Sequence, residues 1–383
     1  MSKPTMNKRS LSTLLHISLA LGTLATFACR DSASAGQSVS VQSTDESGEC
    51  SDACEVVLKR LVSLSDSAKP GLLAARPNIQ RSADGRYYTT IADYSGFAVF
   101  DSVGKLLHVF GRRGDGPGEF TFLSRLALRG NDTVFAFDLR SGRLSVIVGD
   151  SAMVRSVSAF PATPTLVLGD GSFLVAEQLR DPKHIGWPLH VVGADGRVSR
   201  SFGGTGAQFR RDLNRLQSRV AGRGAGSSFW AAPPGRYILE QWDPMSSKLL
   251  RTVKVDAKWF EESDHAPQYS YLQERPTPTI VSVWSSDDKL VWTLIVTADE
   301  NWRQRQSITD ASEQPANPQI HDASYDYLLQ AVDVRAGKIV ASKRLDREIY
   351  ATPPSNLLVS HSDAGGANVV VDVWQPTLQR KKK

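Results

Sequence analysis

The feature that most constrains the fold is a turn that recurs along the chain between two β-rich runs. An Asp or Gly opens the turn and a Lys or Arg closes it at residues 101–105, 193–197, 243–248 and 333–338, and a weaker copy lies at 149–152. Successive copies are roughly 45 to 50 residues apart, the length of one four-stranded propeller blade, except for the last interval, which is about twice as long. Since helical periodicity is almost absent, the spacing predicts an all-β propeller.

The long last interval hides either a whole blade or insertions within one blade. We favour insertions, because one further set of strand pairs is recognisable between residues 278 and 345, while residues 257–278 and 298–324 are polar and irregular. We name the strands of a blade A to D from the channel outward. Five full blades are then expected to start near Asn78, Ser124, Thr165, Gln217 and Thr279.

The sixth blade is predicted to be split between the two ends of the chain. Three strands can be recognised in residues 348–375, and the outer strand D is missing. Residues 55–64 supply it, and this closure removes the exposed edges of an open array of sheets. The alternative is a short helix over the same residues, because their apolar pattern fits both structures. The predicted fold is a six-bladed β-propeller of four-stranded antiparallel blades, closed by the N-terminal strand.

The N-terminus has the parts of an export signal. A basic start (Lys3, Lys8 and Arg9) precedes an apolar run over residues 11–28, and small residues follow. Cleavage after residue 35 would release a secreted or periplasmic protein. Cleavage after residue 28 would leave Cys29 for lipidation and give an outer-membrane or cell-envelope lipoprotein, although Thr26 replaces the usual aliphatic residue of that motif.

The predicted domain organisation follows from these segments. The signal covers residues 1–35, or 1–28 in a lipoprotein; a flexible polar tether covers 36–54, a single propeller 55–379 and a basic tail 380–383. In an oxidising compartment the neighbouring Cys50 and Cys54 are expected to form a local disulfide. The signal and the tail inflate the net charge of +5, so we expect no nucleic-acid partner. We also expect membrane contact through the lipid alone, and a monomer.

One segment carries a family resemblance. Residues 110–120 (FGRRGDGPGEF) follow a predicted strand D, and residues 202–206 (FGGTG) repeat the glycine spacing two blades later. With the predicted strand ends Ile91-Ala92-Asp93 and Phe135-Ala136-Phe137-Asp138, these segments resemble the NHL-type repeat and the exported six-bladed propellers related to it. The resemblance implies a fold and a cellular setting. It implies no reaction, because such propellers serve as docking platforms, as sugar or peptide binders, and occasionally as lyases or lactonases.

The long connections are all predicted on one face. They join D to A or B to C at residues 111–122, 178–187, 203–216, 258–278 and 299–324, whereas the A–B and C–D hairpins on the opposite face are short. Aromatic and arginine side chains in these loops could anchor a ligand or simply pack the loops onto the blades. The candidate ligand-binding residues are Arg112, Arg113, Trp187, Arg210, Arg211, Trp259, Tyr269 and Trp302.

The common catalytic motifs are missing from the sequence: no zinc-protease, phosphate-loop, EF-hand or nucleophile-elbow pattern occurs. We assign Asp93 and Asp138, which precede turns, a structural role. No catalytic residue, metal ligand or cofactor is predicted. The leading hypothesis is a binding or scaffold module for a protein, peptide or glycan. The alternative is a lactonase- or lyase-type propeller enzyme with a divalent cation, such as calcium, at the channel mouth.

Overall fold

The computed structural model describes residues 54–74, 76–149, 152–179, 181–204, 218–263, 275–285, 287–302, 325–353, 355–362 and 368–381. Across these ranges the chain forms six four-stranded antiparallel sheets arranged as the blades of a propeller. The six-bladed fold predicted from the turn spacing is confirmed. No helix in the described ranges is long and apolar enough to cross a membrane.

Five blades follow one another along the chain, each with its strands in sequence order. Blade 1 contains β2 (Ile79–Arg81), β3 (Tyr87–Thr90), β4 (Phe97–Phe100) and β5 (Leu106–Phe110), and blade 2 contains β8 (Leu123–Arg129), β9 (Thr133–Asp138), β10 (Arg143–Val148) and β11 (Ala152–Val157). Blade 3 contains β12 (Leu166–Val167), β13 (Phe173–Val175), β14 (Leu189–Val192) and β15 (Val198–Phe202), and blade 4 contains β16 (Val220–Arg223), β17 (Phe229–Ala232), β18 (Ile238–Asp243) and β19 (Lys248–Lys254). Blade 5 contains β20 (Thr279–Trp284), β21 (Leu290–Ala298), β22 (Tyr325–Asp333) and β23 (Lys338–Leu345). The long last interval therefore holds insertions and no additional blade among the described residues.

The sixth blade joins the two ends of the described chain. Its inner strands are β24 (Tyr350–Ala351), β25 (Leu358–Ser362) and β26 (Val370–Arg380), and its outer strand is β1 (Cys54–Ser65). Strand β1 pairs with β26 along its whole length, from Cys54 opposite Arg380 to Ser65 opposite Val370. Residues 55–64, whose apolar pattern fits a strand and a helix, therefore form a strand, because they pair with a distant strand of the chain.

Asp66 fastens this closure just beyond β1. Its side chain is buried; one carboxylate oxygen accepts the backbone N–H of Val369 at 2.8 Å and the other accepts that of Gly71 at 2.9 Å. On β1 itself, the Ser63 hydroxyl donates to the carboxylate of Asp372 at 2.5 Å. The bonds from Asp66 to Val369 and from Ser63 to Asp372 join residues about 300 positions apart, so they form only when both ends of the chain are in place.

The hydrophobic core is divided into layers between neighbouring blades. Six clusters of buried side chains lie at the six blade interfaces; Leu64 and Val371 of blade 6, for example, pack with Tyr87 and Phe100 of blade 1. The other five clusters join blades 1 and 2, 2 and 3, 3 and 4, 4 and 5, and 5 and 6. Because every sheet buries both faces against a neighbour, its strands contain apolar residues at consecutive positions.

The hairpin turns are held by aspartate side chains. Asp101 accepts the backbone N–H groups of Val103 and Lys105 at 3.0 and 2.8 Å, and Asp333 accepts that of Arg335 at 2.8 Å. Asp138 is fully buried and accepts the N–H groups of Thr121, Arg140 and Ser141. The structural role predicted for Asp138 is thus confirmed, and so is that of Asp93, which accepts the N–H and hydroxyl of Ser95.

Glycine lets two inner strands approach each other at the interface of blades 4 and 5. Gly222 on β16 lies against the backbone of Val283 on β20, so that a Cβ at this position would overlap the carbonyl oxygen of Val283. Next to it, the N–H of Ser285 donates to the carbonyl of Arg223 at 2.7 Å. The two blades are therefore in backbone contact beside the channel.

Candidate functional site

The two ends of the blades differ in the length of their connections. The A–B and C–D hairpins leave one end, and the B–C and D–A connections leave the other. The long connections, at residues 66–78, 111–122, 176–188, 203–219, 255–278 and 299–324, all belong to the second end, which we call the long-loop face. This distribution agrees with the one predicted from the sequence.

Arg112 and Arg113 lie in the crossing from blade 1 to blade 2, where β6 (Arg112–Arg113) pairs in parallel with β7 (Glu119–Phe120). The guanidinium of Arg112 pairs with the carboxylate of Glu119 at 2.7 Å, and Arg113 donates to the carbonyl of Asp93 at 3.1 Å. A bond from the N–H of Gly116, together with Arg112, lowers the pKa of Glu119. Both arginines thus help to hold the loop, while most of the Arg112 side chain stays exposed.

Trp187 and Trp302 lie in the B–C connections of blades 3 and 5 and are half-buried. The backbone N–H of Trp187 donates to the carbonyl of His184, and that of Trp302 donates to the carbonyl of Asp299 at 3.1 Å. Each tryptophan therefore follows a local turn, on two blades that are not neighbours in the ring.

Trp259 lies beside a cavity on the D–A connection between blades 4 and 5. The cavity has a volume of about 430 Å³ and an aromatic floor formed by Tyr237 and Phe260. The Trp259 ring is 41% exposed and meets the Phe260 ring edge to face, with 5.6 Å between centroids. Exposed charged side chains of both signs form the rim: Lys254, Asp256, Lys258 and Glu262.

The buried floor of this cavity is fixed by the neighbouring blade. The hydroxyl of Tyr237 lies 2.7 Å from the hydroxyl of Thr293 and donates to the side-chain oxygen of Gln330 at 2.9 Å. Burial raises the pKa of Tyr237, so its ring stays neutral. The cavity therefore combines a buried aromatic floor with exposed charged groups, a combination that suits a polar ligand with an apolar face.

Other predicted residues lie outside the described ranges. Those in the loops are Arg210, Arg211 and Tyr269, and those near the N-terminus are Cys29 and Cys50. Cys54 is described; it is buried and disulfide-bonded. The proposed pairing of Cys54 with Cys50 and the lipidation of Cys29 remain predictions.

A turn of blade 6 takes part in a polar cluster that we did not predict from the sequence. The side-chain amides of Asn78 and Gln80 on blade 1 donate to the carbonyl of Pro353 on blade 6, at 3.2 and 3.1 Å. Arg125 on β8 donates to the same carbonyl at 3.1 Å. A turn of blade 6 therefore reaches inward and is held by side chains from blades 1 and 2.

Arg125 has a charged neighbour in Glu177, which follows β13 on blade 3. Desolvation raises the pKa of Glu177, against the opposing effects of Arg125 and of a hydrogen bond with Thr163. Desolvation likewise lowers the pKa of Arg125, against the effect of Glu177. Yet Glu177 is exposed to water and Arg125 only half-buried.

A second group that the sequence analysis did not predict is a pair of histidines on blade 3. The Nδ1 atoms of His184 and His190 both lie 2.8 Å from the hydroxyl oxygen of Ser201. His190 is fully buried, and its Nε2 has no hydrogen-bond partner. Desolvation, followed by the nearby His184, lowers the pKa of His190 to about 4. His190 is therefore neutral at neutral pH.

The sequence did carry a signal for these groups, although a weak one. His190 lies between the buried apolar residues Leu189 and Val191, and Arg125 precedes the buried Leu126 and Ala127. Among the described residues, no three His, Cys, Asp or Glu side chains lie close enough together to hold a metal ion.

No family model matches the chain, and no curated protein is similar to it in sequence. Similar solved structures exist. A member of the DUF4221 family from Bacteroides vulgatus is 8% identical with a TM-score of 0.58, over 86% of this chain and 99% of that one. A candidate exported protein from Bacteroides fragilis is 11% identical with a TM-score of 0.55, over 86% of this chain and 96% of that one. At these identities the similarity shows the fold alone.

Proposed function

We propose that this chain is an exported binding module of the cell envelope that takes a protein, peptide or glycan on its long-loop face. The observation that carries this proposal is the cavity beside Trp259, with its aromatic floor and its rim of Lys254, Asp256, Lys258 and Glu262. The exposed ring can stack on the apolar face of a sugar or pack against a peptide side chain, while the rim supplies donors and acceptors.

The cellular setting belongs to the same proposal. The export signal in residues 1–35 and the NHL-like segment at residues 110–120 support a protein that acts outside the cytoplasm. Attachment through a lipid on Cys29 would hold the protein at a membrane. A Cys29→Ser variant is then expected to leave the membrane fraction, and its retention there would overturn the anchor while leaving the binding proposal intact.

The binding proposal is tested with the mature protein on glycan and peptide arrays. Trp259→Ala is expected to weaken binding at least about tenfold, because an exposed aromatic side chain that contacts the ligand contributes about 1 to 2 kcal/mol or more. Met245→Ala is the matched control, since Met245 is 49% exposed and lies in the C–D turn of the same blade, at its opposite end. Equal binding by wild type and Trp259→Ala would refute the cavity as the site.

A further inference from the structure

The outer strand of blade 4 is more exposed than any other outer strand whose burial the structure describes along its whole length. Six of the seven residues of β19 are exposed, and Val253 alone is buried. In β1, β5, β15 and β23 most residues are buried or half-buried. The exposed residues of β19 include two neighbouring leucines, Leu249 at 47% and Leu250 at 54%. Large apolar side chains grouped in this way indicate a surface that binds another molecule.

The backbone of β19 is paired along one edge. It pairs with β18 along its whole length, and no other described strand pairs with it. Its remaining N–H and C=O groups therefore point away from the blade. At the end of β19, Gly337 of blade 5 lies against the carbonyl of Lys254, so the open part of the edge is residues 248–252. An open edge of this kind is a template for a further strand.

The charges on β19 determine which strand fits this edge. Lys248, Arg251 and Lys254 are exposed and form no ion pair among the described residues, and β19 contains no acidic residue. In the preceding turn, the carboxylate of Asp243 is engaged within the turn itself, where it accepts the N–H of Met245 at 3.0 Å. A second copy of β19 added to this edge would bring like charges together, which destabilises strand pairing. A strand that carries acidic side chains is therefore the complementary partner.

We infer that the outer edge of blade 4 binds an extended peptide segment with acidic and aliphatic side chains, which adds to the blade as a fifth strand. The backbone of the peptide pairs with residues 248–252. Its carboxylates pair with Lys248 and Arg251, and its aliphatic side chains pack on the two leucines. In strand addition the backbone supplies affinity and the side chains supply specificity. This inference goes beyond the proposed function, because the cavity beside Trp259 begins only past the open part of the edge, at Lys254.

The probe follows from the sequence of the edge. Residues 248–251 are Lys-Leu-Leu-Arg, and a peptide with the core Glu-Val-Val-Glu complements them in either chain direction, because this core is symmetric. The labelled peptide, with Ser-Thr at each end, is titrated with the mature protein, and fluorescence anisotropy reports binding. We expect it to bind at least about tenfold more tightly than the same peptide with the core Lys-Val-Val-Lys, which places like charges on the edge. Equal binding of the two peptides would overturn the inference.

Methylation of the peptide nitrogens tests for strand pairing itself. Because a strand presents alternate N–H groups to its two edges, the probe is made in two versions, methylated on its odd or on its even nitrogens. One version should bind at least about tenfold more weakly and the other nearly like the parent, since both keep the same side chains. If both versions bind like the unmethylated peptide, the peptide does not add as a strand and the inference is refuted.

Charge reversal assigns the site to β19. Arg251→Glu should weaken binding of the acidic peptide at least about tenfold and strengthen binding of the lysine peptide. Arg155→Glu is the matched control and should bind like wild type, because Arg155 is exposed on the outer strand of another blade. Trp259→Ala should also bind the probe like wild type, so that failure of the cavity and failure of the edge can be told apart. A wild-type dimer in sedimentation velocity that Arg251→Glu dissociates would make β19 a contact between copies of the chain, and would overturn the inference.

Discussion

Acidification is expected to destabilise the propeller through the buried imidazole of His190. In the unfolded chain a histidine takes up a proton near pH 6.5, whereas in the folded protein the pKa of His190 is about 4. Between these values the unfolded state binds more protons than the folded state. The stability that depends on His190 staying neutral is therefore fully present above pH 6.5, is lost progressively as the pH falls toward 4, and changes little below that.

The magnitude follows from the two pKa values. The difference between about 6.5 and about 4 corresponds to about 3 kcal/mol, of which about 2.5 kcal/mol is lost between pH 7.5 and pH 4.5. Desolvation is the larger cause, and His184, whose Nδ1 shares the Ser201 hydroxyl, is the smaller one. The loss should therefore shrink partly in His184→Gln and vanish in His190→Gln, where no imidazole has to be protonated.

The assay is urea denaturation of the mature protein at pH 7.5 and pH 4.5, with the free energy of unfolding compared between variants. His108→Gln, on the outer strand β5, is the matched control and should keep the wild-type loss, because His190 is still buried in it. If His190→Gln loses as much stability as wild type over this pH range, the burial of a neutral imidazole is not the cause and the reasoning is refuted.

Three further predictions concern the fold and can be checked by the same denaturation at neutral pH. Gly222→Ala should lower the free energy of unfolding by about 3 kcal/mol or more, because the new Cβ would overlap the carbonyl of Val283. Gly169→Ala should leave it nearly unchanged, because nothing lies within 4 Å of a Cβ at that position. Equal effects of the two substitutions would contradict the close approach of blades 4 and 5. Leu64→Ala should lower the free energy of unfolding by about 2 to 5 kcal/mol, because Leu64 is fully buried at the ring closure. Leu61→Ala should lower it less, because Leu61 is half-buried. A small effect at Leu64 would mean that β1 does not close the ring. Asp138→Ala should lower the free energy of unfolding by about 2 to 4 kcal/mol, because it leaves the N–H groups of Thr121, Arg140 and Ser141 without their acceptor. Asp101→Ala should lower it less, because Asp101 lies in an exposed turn.

Much of the fold could be predicted from local chemistry. An aspartate that accepts N–H groups two to four residues later, as Asp101 and Asp333 do, holds a C–D hairpin, and the spacing of these hairpins predicts blades of four strands. The outer strand β1 was harder to predict, because its residues fit a helix equally well. Only the pairing of Cys54–Ser65 with a segment more than 300 residues away decides the matter, and no local pattern contains that pairing.

The candidate site was predictable to a smaller degree. Loop lengths indicated the long-loop face and Trp259, since insertions are visible in the sequence itself. The contacts of Pro353 are not visible there: Asn78 and Pro353 are 275 residues apart, and Arg125 and Pro353 are 228 apart. Nothing in the local sequence of Pro353 distinguishes a turn that reaches into the channel from one that stays at the surface.

The position of Arg125 depends on closure of the ring. The turn that positions Arg125 belongs to blade 6, and blade 6 is complete only when β1 has paired with β26. A chain that lacks this pairing would leave the carbonyl of Pro353 without a fixed position, and the guanidinium of Arg125 would lose the contact that orients it. We therefore expect the position of Arg125 to be fixed only when the ring closes, whereas the turn held by Asp138 is complete within blade 2 and its approach from blade 1.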